Sequence, residues 1–145
     1  MRYPILIEPG SDTEAFGVVV PDLPGCFSAG DTLDEALDNV REAIAAWIDE
    51  ALDGGEVVPP PSPLSAITGL PDYQGWIVGV VEVDDALADD TIERVNITLP
   101  RRVLGRLDAL ARDAGQSRGG FIADLTLKAH ALRTPGRPKA KRQAS

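Results

Sequence analysis

The sequence predicts an α+β protein made of two modules, with element order β-β-β-α-β followed by β-α-α. Short β-branched runs bounded by proline and glycine precede one long helical stripe, and a strand-helix-helix pattern follows an acidic connector. The charge also changes sign along the chain. Residues 1–93 hold 20 acidic and two basic side chains, whereas residues 94–145 hold three acidic and 12 basic ones. Opposite charges on the two modules predict two different partners, a cationic one and a polyanionic one.

The first module begins with strand signals. Residues 3–7 and 16–20 are short apolar runs separated by a loop of hairpin length, which predicts an antiparallel pair. Two prolines and a glycine within residues 21–25 indicate a rigid loop, and a third short strand is expected at 26–29. The almost continuous apolar run at 76–83 predicts a further strand beside the hairpin, buried on both faces.

The clearest element is a helix that starts after Thr32. Thr32 and Glu35 have the spacing of a capping box, apolar residues then recur every three or four positions, and Gly54 and Gly55 end the pattern. The remaining face is acidic. A solvated surface is the commoner explanation of such a face, and a surface for a basic partner is the alternative.

The second module begins with polar and apolar residues in strict alternation over 94–99, and Pro100 stands where a first helical residue belongs. A helix stripe closed by Gly115 follows, and Ser117 is the candidate N-cap of a second helix. A unit this small buries too little surface to be stable alone, and a lone strand leaves its backbone unpaired. We therefore expect a homodimer, with the two strands paired as an antiparallel ribbon.

The exposed face of that ribbon would present Arg94, Asn96 and Thr98 from each copy. A two-stranded ribbon fits the major groove of DNA, where Arg and Asn can make bidentate contacts with base edges. Ser117 and Arg118 open the second helix beside two glycines, an arrangement suited to holding a phosphate of the DNA backbone. The same glycines could instead mark only a soft first turn.

The organisation expected from these patterns is a first domain at 1–84, an acidic linker at 85–93, a DNA-binding and dimerisation domain at 94–132, and a basic disordered tail at 133–145. One cysteine and one histidine are too few for a Cys/His zinc site, and we expect neither metal nor cofactor. No apolar run is long enough to cross a bilayer, and the start of the sequence lacks a secretory signal. These features predict a cytoplasmic protein.

Two stretches resemble a known family. Residues 16–50, with the loop PDLPGCFSAGDT at 21–32 and the helix opening DEAL at 34–37, resemble the N-terminal domain of HicB antitoxins. Residues 94–122, RVNITLPRRVLGRLDALARDAGQSRGGFI, are similar to a ribbon-helix-helix DNA-binding domain. The resemblance implies a partial RNase H-like fold for the first module. It also implies a HicA-like partner, a small basic mRNA-cleaving toxin that the antitoxin blocks.

The resemblance further implies repression of the antitoxin's own operon through operator DNA. The base-reading positions of the family fall on Arg94, Asn96 and Thr98, and the phosphate-contacting turn falls on Ser117 and Arg118. No short motif fixes the toxin interface. The acidic charge of the first module suggests that the loop at 21–25 and the acidic helix face cover the toxin's RNA site. The candidate toxin-binding residues are Asp22, Asp34, Asp38 and Glu42.

Two alternatives belong to other classes of function. A two-metal nuclease would need converging carboxylates, for which Glu8, Glu82 and Asp84 are the candidates, but carboxylates at strand ends are ordinary and we expect no enzyme. A stand-alone transcriptional regulator could sense a small molecule with its first module, although no convergent polar groups indicate a ligand. Cys26 has no histidine near it in the sequence and is expected to be a buried apolar residue.

Overall fold

The computed structural model describes residues 1–133, and the expected tail lies outside the described residues from 134 onward. The chain divides into two compact units, the first spanning Met1–Asp90 and the second beginning at Thr91. Each unit is described by itself below. The α+β class is confirmed, with a four-stranded sheet in the first unit and helices in both units.

The sheet of the first unit is antiparallel throughout, with spatial order β3-β2-β1-β4. Strand β1 lies at its centre, where Leu6 is opposite Val19 of β2 and Tyr3 is opposite Val81 of β4. The predicted β-β-β-α-β order is therefore confirmed, including the hairpin formed by the first two strands. The strands are β1 (Arg2–Glu8), β2 (Phe16–Val19), β3 (Phe27–Gly30) and β4 (Ile77–Glu82).

Helix α1 (Leu33–Asp53) covers one face of this sheet. Its start is the predicted one, because the Thr32 hydroxyl accepts a hydrogen bond from the Glu35 N–H at 3.1 Å. The apolar stripe of the helix packs onto side chains from all the central strands. The fully buried residues of this core include Tyr3, Ile5, Val18, Val20, Leu23, Ala36, Val40, Ile44 and Ile48.

The prediction that the last strand is buried on both faces is wrong. Strand β4 is an edge strand, in which Val81 is buried while Ile77 and Val80 are 51% and 50% exposed. The strand buried on both faces is β1, whose residues 3–7 are all buried. The hydrophobic run of β4 is compatible with either position, and the pairing order assigns the centre to β1.

The proline-rich segment at 57–63 is fixed to the sheet and to the loop after β2 rather than forming regular structure. The Tyr3 hydroxyl donates to the Pro59 carbonyl at 2.7 Å, and Ser62 donates twice to the Asp22 carboxylate. Two 3₁₀ turns, Leu64–Ala66 and Pro71–Tyr73, complete the connection to β4. The long connection therefore does not disturb the pairing of the last strand with β1.

The second unit contains helices α2 (Arg101–Asp113) and α3 (Arg118–Arg133). Gly115 has a φ of 67°, the left-handed conformation that a helix C-terminus favours, and the chain then turns into α3. The strand expected at 94–99 is not formed in the single chain, because among residues 1–133 it has no partner strand. Within those residues, neither helix of this unit nor α1 is long and apolar enough to cross a membrane.

A substitution at Gly30 tests how closely helix α1 approaches strand β3. A Cβ added at Gly30 would lie 2.4 Å from the Ala36 backbone nitrogen, so we expect Gly30→Ala to destabilise the protein by about 1–3 kcal/mol or more. Gly79→Ala is the matched control in the same sheet, since its Cβ would meet Ile5 Cγ1 at an ordinary 3.4 Å. Urea unfolding followed by circular dichroism measures both, and equal stability of the two variants would contradict this packing.

Candidate functional site

Helix α1 is amphipathic, with acidic side chains on the face opposite its buried apolar stripe. Residues 34, 38 and 42 are spaced by four and lie on the side opposite the buried stripe, because i and i+4 share a helix face. We call Asp34, Asp38 and Glu42 the α1 acidic stripe. Asp34 and Asp38 are exposed, and Arg41 lies 4.0 Å from the Asp38 carboxylate. This single weak ion pair leaves the stripe with a net negative charge.

Glu42 differs from the other two members of the stripe. Its side chain is half-buried, and its Oε1 atom is inaccessible and has no hydrogen-bond partner within the described residues. A buried carboxylate oxygen without a partner is costly. The neighbouring Asn39 donates through Nδ2 to the Ala29 carbonyl at 2.7 Å, which leaves its own Oδ1 equally unpartnered. The end of the stripe at Glu42 is therefore less open to solvent than Asp34 and Asp38 are.

Asp22, the fourth candidate for the toxin interface, is held inside the first unit. Its Oδ2 accepts the Ser62 N–H at 2.8 Å and its Oδ1 accepts the Ser62 hydroxyl at 2.6 Å. Burial raises the pKa of Tyr3, and the nearby Asp22 charge raises it further. Asp22 thus anchors the proline-rich segment through both of its carboxylate oxygens.

In the second unit, residues 91–98 are all exposed. Two of the apolar side chains that should face the core of a ribbon, Val95 and Ile97, are 71% and 62% exposed. The base-reading candidates Arg94, Asn96 and Thr98 are exposed as well. A groove lined by Ile97, Thr98, Leu99, Leu104 and Arg118 runs beside them. Apolar and polar side chains of this segment are therefore equally open to a partner.

The start of α3 has the predicted cap. The Ser117 hydroxyl accepts the Gly120 N–H at 3.1 Å, and the Ser117 carbonyl accepts the Phe121 N–H at 2.9 Å. Arg118 points back to α2, where its Nε and a terminal nitrogen donate to the two oxygens of Asp108 at 2.8 and 3.0 Å. These hydrogen bonds, together with the Arg118 charge, lower the pKa of Asp108. The guanidinium of this phosphate-contact candidate is thus engaged within the chain.

Two partners in these arrangements were missed by sequence reasoning. Asp108 and Ser62 are neither periodic nor part of a motif, and each meets its partner only after the chain has folded back. Asp108 and Arg118 carry opposite charges and lie on either side of the short turn between α2 and α3. This is a weak signal that could have suggested the pair. No local signal indicates that Ser62 binds Asp22, since 40 residues separate them.

The carboxylates considered for a nuclease do not converge. Glu82 lies opposite Arg2 in the sheet, at the beginning of β1, whereas Glu8 ends that strand. At the rise of about 3.3 Å per residue in a β-strand, the two ends of β1 are about 20 Å apart. Asp84 lies beyond β4 and caps a short 3₁₀ turn by accepting the Ala86 N–H at 2.9 Å. Asp84 therefore lies outside the strand that holds Glu82. Among residues 1–133, no group of three potential metal ligands occurs.

Cys26 is buried, as expected from the sequence. Burial raises the pKa of its thiol to about 11, so that the reactive thiolate is scarce at neutral pH. The Cys26 backbone closes the loop after β2 by bonding to Val20 and Leu23. The cysteine is therefore part of the core.

Comparison with known proteins agrees with this architecture. The family described as HicB-like antitoxin of bacterial toxin-antitoxin system matches residues 3–126. An uncharacterised 14.9 kDa protein of Haemophilus phage HP1 is 40% identical over 86% of this chain and 94% of its own length. Antitoxin HicB of Escherichia coli K12 is 30% identical over 46% of this chain and 47% of its own.

Solved structures give the same result. The antitoxin HicB of Burkholderia pseudomallei is 36% identical, with a TM-score of 0.56 over 89% of this chain and 98% of that one. The HicB3 antitoxin structure is 29% identical, with a TM-score of 0.55 over 89% and 97%. A chain of the HicA3–HicB3 toxin-antitoxin complex matches 58% of this chain at 36% identity and a TM-score of 0.50.

A sheet covered by one helix, followed by a separate helical unit, is thus the architecture of an antitoxin. The chain belongs to the HicB-like antitoxin family of bacterial toxin-antitoxin systems. This membership favours the antitoxin interpretation over that of a stand-alone sensor. The family resemblance read from the loop at 21–32 is confirmed.

The Asp108–Arg118 pair can be tested by titration. Arg118→Gln should move the pKa of Asp108 upward, toward its ordinary value, as measured by carbon-detected NMR of the carboxyl. Because the folded-state pKa is lowered, the pair stabilises the fold above the ordinary pKa of Asp. That contribution is lost as the pH falls through the folded-state value. An unmoved Asp108 pKa would contradict the pairing.

Proposed function

We propose that this antitoxin neutralises a small basic HicA-like toxin with its first unit and represses its own operon with its second. The observation that carries the proposal is the division of charge. Twenty acidic residues lie within 1–93, and 12 of the 14 basic residues lie within 94–145. An acidic surface attracts the basic surface of a partner that itself binds RNA, whereas a basic surface attracts the phosphates of DNA.

Toxin binding is supported by the geometry of the α1 acidic stripe. A ribonuclease carries a basic surface for its RNA, and an exposed row of carboxylates attracts that surface and competes with the RNA. The structural relative HicB3 has been solved in a complex with HicA3, and 58% of this chain matches a chain of that complex.

Homodimerisation is supported by the exposed segment before α2. The exposed apolar side chains of Val95 and Ile97 are unfavourable in a monomer, and a second copy can cover them. Pairing of residues 94–99 between copies would also satisfy the backbone groups of the segment. The ribbon formed in this way would direct Arg94 and Asn96 of both copies toward the major groove.

The phosphate contact at α3 is expected to use the backbone more than the side chain of Arg118. The Arg118 guanidinium is held by Asp108, whereas the backbone N–H groups of the first turn lie at the helix N-terminus, the positive end of the helix dipole. Gly119 has no heavy atom within 4 Å of an added Cβ, which leaves room for a phosphate. Under this proposal, Arg118 adds positive charge and fixes the turn.

Neutralising the α1 acidic stripe tests the toxin interface. The triple variant D34N/D38N/E42Q should weaken binding of the cognate HicA-like toxin about tenfold or more, and binding should become less sensitive to salt. Calorimetry at two ionic strengths measures this effect. The matched control D12N/E14Q/D72N removes three exposed charges elsewhere in the same unit. Affinity that is unchanged in the first triple variant at both ionic strengths would refute the stripe as the interface.

Changing Asn96 tests DNA reading. Asn96→Ala should weaken binding to the operator by about 1–3 kcal/mol and weaken binding to unrelated DNA less, because a bidentate contact discriminates between bases. Fluorescence anisotropy with both DNAs at a fixed salt concentration gives the ratio. Equal losses on both sequences would mean that Asn96 does not read bases.

A further inference from the structure

Asp108 and Arg118 form a two-point contact across the turn between α2 and α3. The Arg118 Nε atom donates to Oδ1 of Asp108 at 2.8 Å, and a terminal nitrogen donates to Oδ2 at 3.0 Å. Two parallel hydrogen bonds of this kind fix the plane of a guanidinium as well as its position. The side chains of Arg118 and Asp108 are 55% and 37% exposed, so the pair lies at the surface, where a ligand can compete for it.

This pair lies beside the segment that is proposed to read DNA. Arg118 lines the same groove as Thr98 and Leu99. It is also the first residue of α3 and follows Ser117, whose hydroxyl caps the helix. The Arg118 guanidinium therefore lies where phosphates of a bound duplex are expected, and yet its hydrogen bonds go to Asp108.

An acidic residue at this place is unexpected on a surface that binds a polyanion. Residues 94–145 contain 12 basic side chains and three acidic ones, and α2 itself carries four arginines. Asp124 contacts Lys128 within a single helix, whereas Asp108 joins two helices and occupies the arginine that opens α3. A carboxylate close to phosphates lowers the affinity for every DNA sequence, because like charges repel. A benefit of Asp108 to DNA binding would therefore lie in selectivity rather than in affinity.

Resting on the proposed DNA binding by the second unit, we propose that Asp108 is a specificity-determining residue, which withholds the Arg118 guanidinium from DNA phosphates and thereby favours the operator over unrelated DNA. A free arginine side chain is long and flexible, so that it reaches phosphates in several registers of the protein on the duplex. Phosphates are alike in every sequence. The backbone N–H groups at the beginning of α3 are instead fixed to the helix and hold a phosphate in one position. With the guanidinium held by Asp108, the phosphate contact is left to these rigid groups.

The carboxylate opposes a phosphate even after it has released the guanidinium. A phosphate that accepts hydrogen bonds from Nε and the terminal nitrogen of Arg118 takes the place of the Asp108 oxygens, which lie 2.8 and 3.0 Å from those atoms. The displaced carboxylate then lies beside another anion, and their repulsion opposes the exchange. Non-specific binding depends almost entirely on phosphate contacts, so withholding one cation weakens it most. In the operator complex, base contacts supply the remaining affinity and set the register.

Affinities for two DNA duplexes test this assignment in the full chain. One duplex comes from upstream of the antitoxin's own gene, and the other has the same length and composition in shuffled order. In D108N, the slope of log affinity against log salt on the shuffled duplex should steepen by about 0.9, as for one added phosphate contact. Lowering the salt from about 200 to about 50 mM should then raise affinity about threefold more than in the wild type. The ratio of operator affinity to shuffled-duplex affinity should fall about twofold or more.

D113N is the matched control, because Asp113 is an exposed residue of the same helix and its change removes the same single negative charge. It should steepen the slope much less than D108N does. D108E keeps a carboxylate opposite Arg118 and should keep the operator preference. The double variant D108N/R118Q removes the released cation and should lack the steeper slope. Because an exposed ion pair contributes little to stability, D108N should keep the circular dichroism of the wild type.

The slopes and the affinity ratio decide separate questions. A slope in D108N no steeper than in D113N would overturn the proposal, and so would a steep slope that persists in D108N/R118Q. An equal gain of affinity on both duplexes would also overturn it, because Asp108 would then not discriminate between them. Equal wild-type affinity for the two duplexes would instead refute operator recognition by the second unit. In that case the slopes on the shuffled duplex would still decide whether Asp108 withholds Arg118 from phosphates.

Discussion

The hydrogen bonding of β1 to a strand on each side is the constraint on which the first unit is built. Five consecutive residues of β1 are buried, and such burial is tolerable only because neighbouring strands satisfy the backbone on both sides. With β1 in the centre, β3 and β4 must be the edges, and one helix can cover only one face. The half-exposed side chains of β4 and the acidic outer stripe of α1 are both consequences of this arrangement.

The surfaces assigned to function follow from the same amphipathic logic. Ala36, Val40 and Ile44 of helix α1 pack against the sheet. Residues on the opposite side of the helix, such as Asp38, must therefore face outward whatever their chemical type. The sequence places carboxylates there and leaves Arg41 as the one cation of the helix. A solvated helix needs some polar residues, but not a predominance of one sign. That excess of one sign supports a charged partner more than exposure alone does.

Local signals allowed the element order, the Thr32 and Ser117 caps and the buried Cys26 to be predicted, because each depends on residues close in sequence. The position of β4 could not be predicted, since an apolar run does not reveal how many neighbours a strand has. Contacts between distant segments were also beyond reach. The Asp22–Ser62 and Asp108–Arg118 pairs each turned a candidate binding residue into one whose side chain already has a partner within the chain.

The outer edge of β4 and the segment at 94–99 differ in a way that bears on assembly. Strand β4 is already ordered by its pairing with β1. Residues 94–99 form no strand in the single chain, and fixing them costs about 1–2 kcal/mol of backbone entropy per residue. Only the pairing and burial supplied by another copy can offset that cost. Under the proposed function, ordering, dimerisation and formation of the base-reading surface are therefore one event, and operator binding should depend on antitoxin concentration.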